Sequence, residues 1–320
     1  MPLYSVFGGY FDTEVSFPEL RPVDGGSPTW TLRIVDALPD APDATLLAAY
    51  DNPVRRVSIY KWGRGFRVVY NDAMGSYDIS LDGRQIAWVP NGEYDVEFVR
   101  MAIIGRVLPI ALHAAGTLCL HGSAVAFDEG GVAFLAPKLH GKSTTALALA
   151  TAGARLLSDD IVPVEPGHPV MIGPGVPSVR LWSDSAERVA GSHLRSRLPE
   201  GGKHIFEELP PEQIMVERVP LKAVYLLRPV QSLSDGAAVQ RTSVAAVPAA
   251  IAIVGQLKVG AALGGAEAVV SFDRAVAVAQ SVPVYTLRVV RDFARMPEVV
   301  EQIFEWHGQS APSVETSTAS

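Results

Sequence analysis

The chain has 320 residues, 48% of them hydrophobic, which is enough to bury one large core or two smaller ones. Its 27 basic and 34 acidic residues give a formal net charge of -7, and neither sign forms a long run, so nucleic acid or an anionic membrane is not expected as the main partner. Cys119 is the only cysteine, which excludes an internal disulfide and a cysteine-based zinc cluster. With an N-terminus unlike a signal peptide, these features predict a cytoplasmic protein.

The first ninety or so residues have the pattern of β-structure. Apolar runs at 57–62 and 66–70 flank a glycine-containing turn, and runs at 77–81 and 86–89 flank Asp82-Gly83, so two hairpins are predicted. Helical spacing follows over 94–112, where Arg106 and Pro109 favour a buried helix leading into a strand over a membrane span. We predict a β-rich accessory domain over 1–93, a second domain over 94–308 and a disordered tail over 309–320.

The second domain begins with alternating strands and helices. We predict a strand over 118–127, a turn, a second strand, a loop, a helix from Thr144 and a strand over 155–164. Further along, strands are predicted at 220–227 and 284–289, and helices at 247–257 and 297–307. The pattern predicts an α/β fold whose first unit is strand–loop–helix.

The loop of that unit, APKLHGKS at 136–143, is close to the phosphate-binding template G-x-x-x-x-G-K-[ST]. Gly141 allows close backbone approach, while Lys142, Ser143 and Thr144 bring a cation and hydroxyls to the start of a helix. The template's first glycine is Ala136 here, and alanine disfavours a positive φ. Lys138 is a candidate compensating cation. The alternative is that a well-capped helix simply begins here.

Asp159-Asp160 follows a predicted buried strand, sixteen residues beyond Ser143. One carboxylate there can hold or orient a metal ion and the other can accept a proton from a hydroxyl nucleophile, although adjacent acids are more often a solvated turn. His121 ends the preceding strand and is either a structural or a catalytic histidine. Arg180 and Lys203 are further candidate anion contacts.

The segments LHGSAV (120–125), AFLAPKLHGKSTTAL (133–147) and GARLLSDDI (153–161) together resemble the catalytic core of the HPr serine kinase/phosphorylase family. The wider layout, with LPIAL at 108–112 and VPVY followed by RDF at 282–293, resembles the HPr-kinase-related proteins of modified-peptide pathways, including lasso-peptide precursor kinases. The resemblance is strongest over 118–164. A clear copy of the C-terminal signature of true HPr kinases is lacking, which puts HPr itself in doubt as the substrate.

The resemblance implies an HPr-kinase-like P-loop core, a mixed sheet flanked by helices, behind a β-rich N-terminal domain. It also implies ATP-dependent, magnesium-assisted phosphorylation of a serine-type hydroxyl on a peptide, protein or small molecule. Asp159 would be the base, His121 would assist, and Ser143 and Asp160 would contact Mg²⁺. The expected nucleotide contacts are Ala136, Pro137, Lys138, Leu139, His140, Gly141, Lys142, Ser143 and Thr144.

A nucleotide-binding sensor or scaffold with a degenerate loop is the alternative function. Phosphorolysis or dephosphorylation in the same site is also left open, as is self-association into a homo-oligomer.

Overall fold

The computed structural model describes residues 1–51, 56–176, 178–189, 203–206, 209–259 and 263–309, with the backbone alone at 182, 189 and 203–205. The predicted disordered tail lies outside the described residues except for Gln309.

The N-terminal part of the chain forms one β-sheet. Its strands are β1 (Leu3–Val6), β2 (Gly9–Thr13), β3 (Arg21–Pro22), β4 (Trp30–Ile34), β5 (Thr45–Asp51), β6 (Arg56–Trp62), β7 (Gly65–Tyr70), β8 (Ser76–Ser80) and β9 (Gln85–Val89). They lie in the order β3-β1-β2-β4-β9-β8-β7-β6-β5. Alternate residues of β8 and β9 are buried, and Tyr77 stacks on Trp88 with ring centroids 5.6 Å apart. Both predicted hairpins, and the β-rich character of this region, are confirmed.

A helical segment covers this sheet. It consists of α1 (Val96–Ala102), a π-helical turn (Ile103–Val107) and α2 (Leu108–Ala114), and it begins where the Asp95 carboxylate accepts a hydrogen bond from the Glu97 amide at 2.8 Å. One face of it, including Val99, Ile103 and Val107, is buried in one core with the apolar side chains of the N-terminal sheet. The helix predicted over 94–112 is therefore confirmed. The boundary between residues 93 and 94 stays a prediction. Within the described residues, no helix is long and apolar enough to cross a bilayer.

The remaining chain builds a second, mixed sheet with flanking helices. The strands of this part of the chain are β10 (Leu118–Leu120), β11 (Gly122–Phe127), β12 (Gly130–Leu135), β13 (Arg155–Asp159), β14 (Val162–Glu165), β15 (Met171–Ile172), β16 (Val179–Trp182), β17 (Lys203–Phe206), β18 (Val219–Val230), β19 (Val239–Ser243) and β20 (Val284–Val290), of which β16 and β17 form a separate two-stranded sheet. The helices are α3 (Lys142–Thr151), α4 (Ser183–Val189), α5 (Ala246–Val254), α6 (Ala266–Ser281) and α7 (Met296–Trp306).

The central strands of this sheet are covered on both faces. They lie in the order β13-β11-β12-β18-β20-β19, with β12, β18 and β20 parallel. Helices α3 and α7 pack on one face and α5 and α6 on the other, so β12 is buried at every residue. Strands β10, β14 and β15 form a branch that rejoins β18, and β16 pairs with β17 alone. The predicted α/β class, with a mixed sheet flanked by helices, is confirmed.

Two strand predictions need correction. The strand predicted over 118–127 breaks at His121, and the one predicted over 155–164 breaks at Asp160. In each case the residues before and after the break pair with different partners: β10 pairs with β14, whereas β11 pairs with β13. The helix predicted over 247–257 ends at Val254, and helix α6 was not predicted at all.

Candidate active site

The two strand breaks lie next to each other and next to the loop. Strands β11 and β13 are antiparallel with Ser123 opposite Asp159, while β10 and β14 are antiparallel with Leu120 opposite Val162. His121 and Asp160 are therefore the residues at which the chain passes between the central strands β11 and β13 and the branch strands β10 and β14. Gly122 pairs with Leu135, the last residue of β12, so the loop that follows β12 emerges at the same edge. The fold thus brings all three predicted segments together.

The loop reaches helix α3 through a glycine in the left-handed region. Gly141 is the N-cap of α3 and has φ of +88°. A Cβ atom placed there would have only Leu227 within 4 Å, at 3.8 Å, so space beside this glycine is open. The helix then begins with Lys142, whose ammonium group donates to the carbonyl oxygens of Ala136 at 2.8 Å and Pro137 at 3.0 Å.

The non-glycine residue with positive φ in the loop is not Ala136, which replaces the template's first glycine, but a residue further along. Ala136 is buried directly after β12 and is not among the residues with positive φ, so the conformation that alanine disfavours is not required there. Leu139 carries the left-handed conformation instead, with φ of +67° and a side chain that is 70% exposed. A left-handed non-glycine residue costs about 1–2 kcal/mol, so the strain of this loop lies in its middle.

Asp159 faces the loop. Its Oδ1 accepts hydrogen bonds from Ser143 Oγ at 2.8 Å and Ser123 Oγ at 2.6 Å, and its Oδ2 accepts one from the Arg180 amide at 3.2 Å. Burial raises the pKa of this carboxyl despite the three donors, and the nearby Asp160 charge adds to the rise. A β-bulge between β11 and β13 just before this point brings Ser123 opposite Asp159.

Asp160 faces the other way. Its φ of +72° and the hydrogen bond from the Ile161 amide to the Asp159 carbonyl at 3.0 Å are features of a strained γ-turn. One carboxylate oxygen lies 3.1 Å from His121 Nδ1 and the other accepts from Lys258 Nζ at 2.7 Å. Burial alone would raise the pKa of Asp160, but the hydrogen bonds and charges of His121 and Lys258 outweigh it and hold that pKa far below its usual range.

His121 keeps one ring nitrogen uncommitted. Nδ1 is near a carboxylate oxygen and, at 3.3 Å, the main-chain carbonyl of Asp160. Because both neighbours are acceptors, Nδ1 carries the proton in the neutral ring and Nε2 is left as an acceptor. Nε2 is buried and has no hydrogen-bond partner among the described residues.

A cavity of about 450 Å³ opens on the other side of the loop. It is lined by the loop and start of α3, including Thr144, by the end of β18 at Pro229, and by Arg291 and Phe293. The RDF segment noted in the sequence therefore lies beside the loop. The cavity lies next to the helix N-terminus, where the helix dipole favours an anionic group.

The described side chains of the other predicted contacts do not reach Asp159 or Asp160. Lys138 is exposed, and the His140 ring lies 2.9 Å from the Lys138 carbonyl, within the loop itself. Arg180 contributes its main-chain amide to Asp159, while its side chain is exposed. Lys203 is on β17, where only the backbone is described.

Two site residues were missed in the sequence. The sequence predicted no role for Ser123, yet its hydroxyl donates a hydrogen bond to Asp159; its position between a histidine and a buried strand was the available signal. Lys258 lies 98 residues beyond Asp160 and is in no recognised motif, so only the fold reveals it.

The donors beside the loop fit a magnesium ion. Ser143 Oγ and Asp159 Oδ1 are hard oxygen donors, which Mg²⁺ prefers, and their separation is 2.8 Å. Among the described residues, no group of three or more His, Cys, Asp or Glu side chains is arranged to hold a metal by itself. Mg²⁺ in phosphoryl-transfer sites commonly needs only one or two protein ligands, because phosphates and water supply the rest.

The only matches to known proteins are to solved structures. No family model matches the chain, and no curated protein matches it. Solved structures do match, among them the structure of the Hpr(Ser) kinase/phosphatase from Coxiella burnetii, with 13% sequence identity and a TM-score of 0.31 over 59% of this chain and 95% of that one. A likeness of this size does not place the chain in a family, and no residue's role rests on it.

Proposed function

We propose that the protein is an ATP-dependent, magnesium-assisted kinase that phosphorylates a serine-type hydroxyl of a peptide, protein or small molecule. One observation carries the proposal: Ser143, at the start of the helix after the loop, donates its hydroxyl hydrogen bond to Asp159 at 2.8 Å. This contact joins a phosphate-type loop to an acid pair sixteen residues away. A helix that merely begins with good capping does not require an acid at that place.

The loop side of the site suits the phosphoryl donor. Phosphate oxygens would meet the main-chain amides after Gly141, and Lys142 would exchange its two carbonyl partners for them. Ser143 and Asp159 would hold Mg²⁺, which supplies neutralisation of the charge that develops on the phosphates. The nucleoside would occupy the cavity bounded by Thr144, Pro229 and Phe293.

The side of the site formed by His121 and Asp160 suits the acceptor. In the proposed reaction the acceptor oxygen bonds to the γ-phosphorus, the bond from that phosphorus to the β–γ bridging oxygen breaks, and ADP leaves. The acceptor's proton passes to a base. His121 Nε2, with Nδ1 held by Asp160, has an available lone pair for that proton.

These contacts support roles that differ from those first predicted. The sequence resemblance makes Asp159 the base and Asp160 the metal ligand. In the structure Asp159 accepts a hydrogen bond from Ser143, whereas the two carboxylate oxygens of Asp160 lie against His121 Nδ1 and Lys258 Nζ. We therefore propose that Asp159 acts on the nucleotide side and that Asp160 acts through His121. Both assignments predict that replacing either aspartate lowers turnover. Only the assignment based on the contacts predicts that Asp159→Asn also weakens magnesium-dependent nucleotide binding.

The proposal is tested first by binding and then by transfer. Calorimetric titration with ATP is expected to show binding that strengthens when Mg²⁺ is added and that Lys142→Met weakens. Exposed Lys222, at the far end of β18, supplies the matched control Lys222→Met. Mass spectrometry of candidate acceptors incubated with ATP and Mg²⁺ is then expected to show a gain of one phosphoryl group. Absence of ATP binding would sink the proposal.

A nucleotide-binding sensor that transfers nothing is the second candidate. It is favoured by the engagement of Lys142 with the loop's own carbonyls and by the strained Leu139, which together describe a loop already closed on itself. Tight ATP binding without transfer to any hydroxyl acceptor would support it. A peptide acceptor from a modified-peptide pathway, a cytoplasmic location and a homo-oligomeric state are the finer parts of our proposal, and they rest on the sequence alone.

A further inference from the structure

The segment after helix α5 forms an additional wall of the site. Its residues 256–258 lie along the free edge of β10: the Lys258 amide donates to the Cys119 carbonyl at 2.7 Å and the His121 amide to the Gln256 carbonyl at 2.6 Å. Leu257 and Leu120 form an antiparallel bridge between these two bonds. Main-chain pairing thus fixes where the Lys258 side chain begins, just beside the turn that carries Asp160.

The Lys258 side chain then reaches Asp160. Its Nζ donates to Oδ2 at 2.7 Å, while Oδ1 lies 3.1 Å from His121 Nδ1. Both partners come from neighbouring, hydrogen-bonded chain segments, and the carboxylate lies between them. A carboxylate held at both oxygens has one orientation, whereas one held at a single oxygen can turn about its last bond.

We propose that Lys258 is a positioning residue for phosphoryl transfer: by holding Oδ2 of Asp160 it directs Oδ1 to His121, so that Nε2 of His121 faces the acceptor hydroxyl. This inference rests on the proposed kinase function for its catalytic consequence. The independent observation is that Nε2 is buried and has no hydrogen-bond partner among the described residues, which leaves it able to accept a hydrogen bond from an acceptor hydroxyl. Lys258 itself touches neither nucleotide nor acceptor in this scheme and acts through Asp160.

The test compares three variants. Lys258→Met keeps the unbranched shape and most of the length of the side chain and removes its charge, Lys258→Arg keeps the charge, and Lys222→Met removes an exposed lysine far from the site. We expect Lys258→Met to lower kcat about 100-fold, a loss in the range that misplacement of a reacting group causes. The affinity for ATP with Mg²⁺ should change less than about twofold, since the loop is untouched. Lys258→Arg should recover most of the loss, and Lys222→Met should behave as wild type.

A second measurement does not need an acceptor. Long-range ¹H–¹⁵N correlation of the His121 ring is expected to show the Nδ1-protonated tautomer in the wild type and a mixture of tautomers in Lys258→Met. If the wild type phosphorylates nothing, the kinase proposal fails while this measurement still decides whether Lys258 sets the ring. An unchanged tautomer together with unchanged kcat in Lys258→Met would overturn the inference, as would an equal loss of ATP affinity.

The variant Asp160→Asn guards against misfolding of Lys258→Met. If Lys258 acts through Asp160, the double variant should be no slower than Asp160→Asn alone, because the two residues form one unit. Additive losses would show that Lys258 acts elsewhere and would overturn the inference.

Discussion

Gly141 offers the sharpest test of the loop geometry, because the substitution Gly141→Ala changes the backbone preference of the site and little else. Its φ of +88° lies in the region that L-residues avoid. The added methyl would have only one neighbour within 4 Å, Leu227 at 3.8 Å, which is ordinary contact. Any loss in this variant therefore reports conformational strain and not a clash.

The expected cost of that strain is about 1–2 kcal/mol if the loop keeps its shape. For a domain of about 150–250 residues this corresponds to a fall in Tm of roughly 2–8 °C. If the loop relaxes instead, stability is recovered but the amides after Gly141 turn away from the phosphate position. Loss of a hydrogen bond to a charged group costs about 1.5–3 kcal/mol, or roughly 10-fold to 100-fold in ATP affinity.

Thermal unfolding and calorimetric ATP titration of the same sample measure both effects. The matched control is Gly105→Ala, since Gly105 lies in the π-helical turn, has open space beside it and does not have a left-handed φ. That control should gain up to about 1 kcal/mol from helix propensity and leave ATP binding unchanged. The reasoning is refuted if Gly141→Ala matches the wild type in both Tm and ATP affinity.

Three further predictions concern the loop, the acid pair and the N-terminal core. Leu139→Asn should raise the unfolding free energy by about 0.5–1 kcal/mol, because asparagine tolerates the left-handed region; a lower Tm would contradict the strain. Asp159→Asn should lower turnover about 100-fold or more, and full turnover would refute any catalytic role. Glu267 bonds His113 and Lys61, which outweigh its burial and lower its pKa, so its contribution to stability is present above its ordinary value of 4.5 and lost as the pH falls through the folded value. Unfolding free energies of Glu267→Gln and the wild type should thus differ at pH 7, and the difference should begin to shrink as the pH falls below 4.5; a constant difference across pH would contradict this.

Local sequence patterns predicted the elements whose formation depends on neighbouring residues. The hairpins around Gly63 and Gly83 follow from alternation and turn residues, and the strand, loop and helix around Gly141 follow from an apolar run, a glycine and a capped helical pattern. The proximity of His121, the loop and the acid pair was also predictable, because each segment ends a buried strand at the same edge of one sheet.

What the sequence could not supply depends on partners distant along the chain. The strands on both sides of the breaks at His121 and Asp160 are almost wholly buried, so only the change of pairing partner distinguishes the two halves. Helix α6 was missed because Val269 and Phe272, 60% and 42% exposed, interrupt the polar face that would have revealed it. The different partners of the Asp159 and Asp160 side chains depend on the left-handed conformation of Asp160, and nothing in the local sequence predicted that conformation.

The core of the N-terminal sheet also contains residues that lie next to the candidate active site in the chain. Cys119, Ile161 and Val259, the near neighbours of His121, Asp160 and Lys258, are all buried in the N-terminal core and not in the cores around the central sheet. Local opening of that core would release the three groups from one another while α3 and its loop stay folded. In the proposed kinase, such an opening would abolish the positioning of His121 without unfolding the loop, so activity would be lost at a free energy below that of global unfolding.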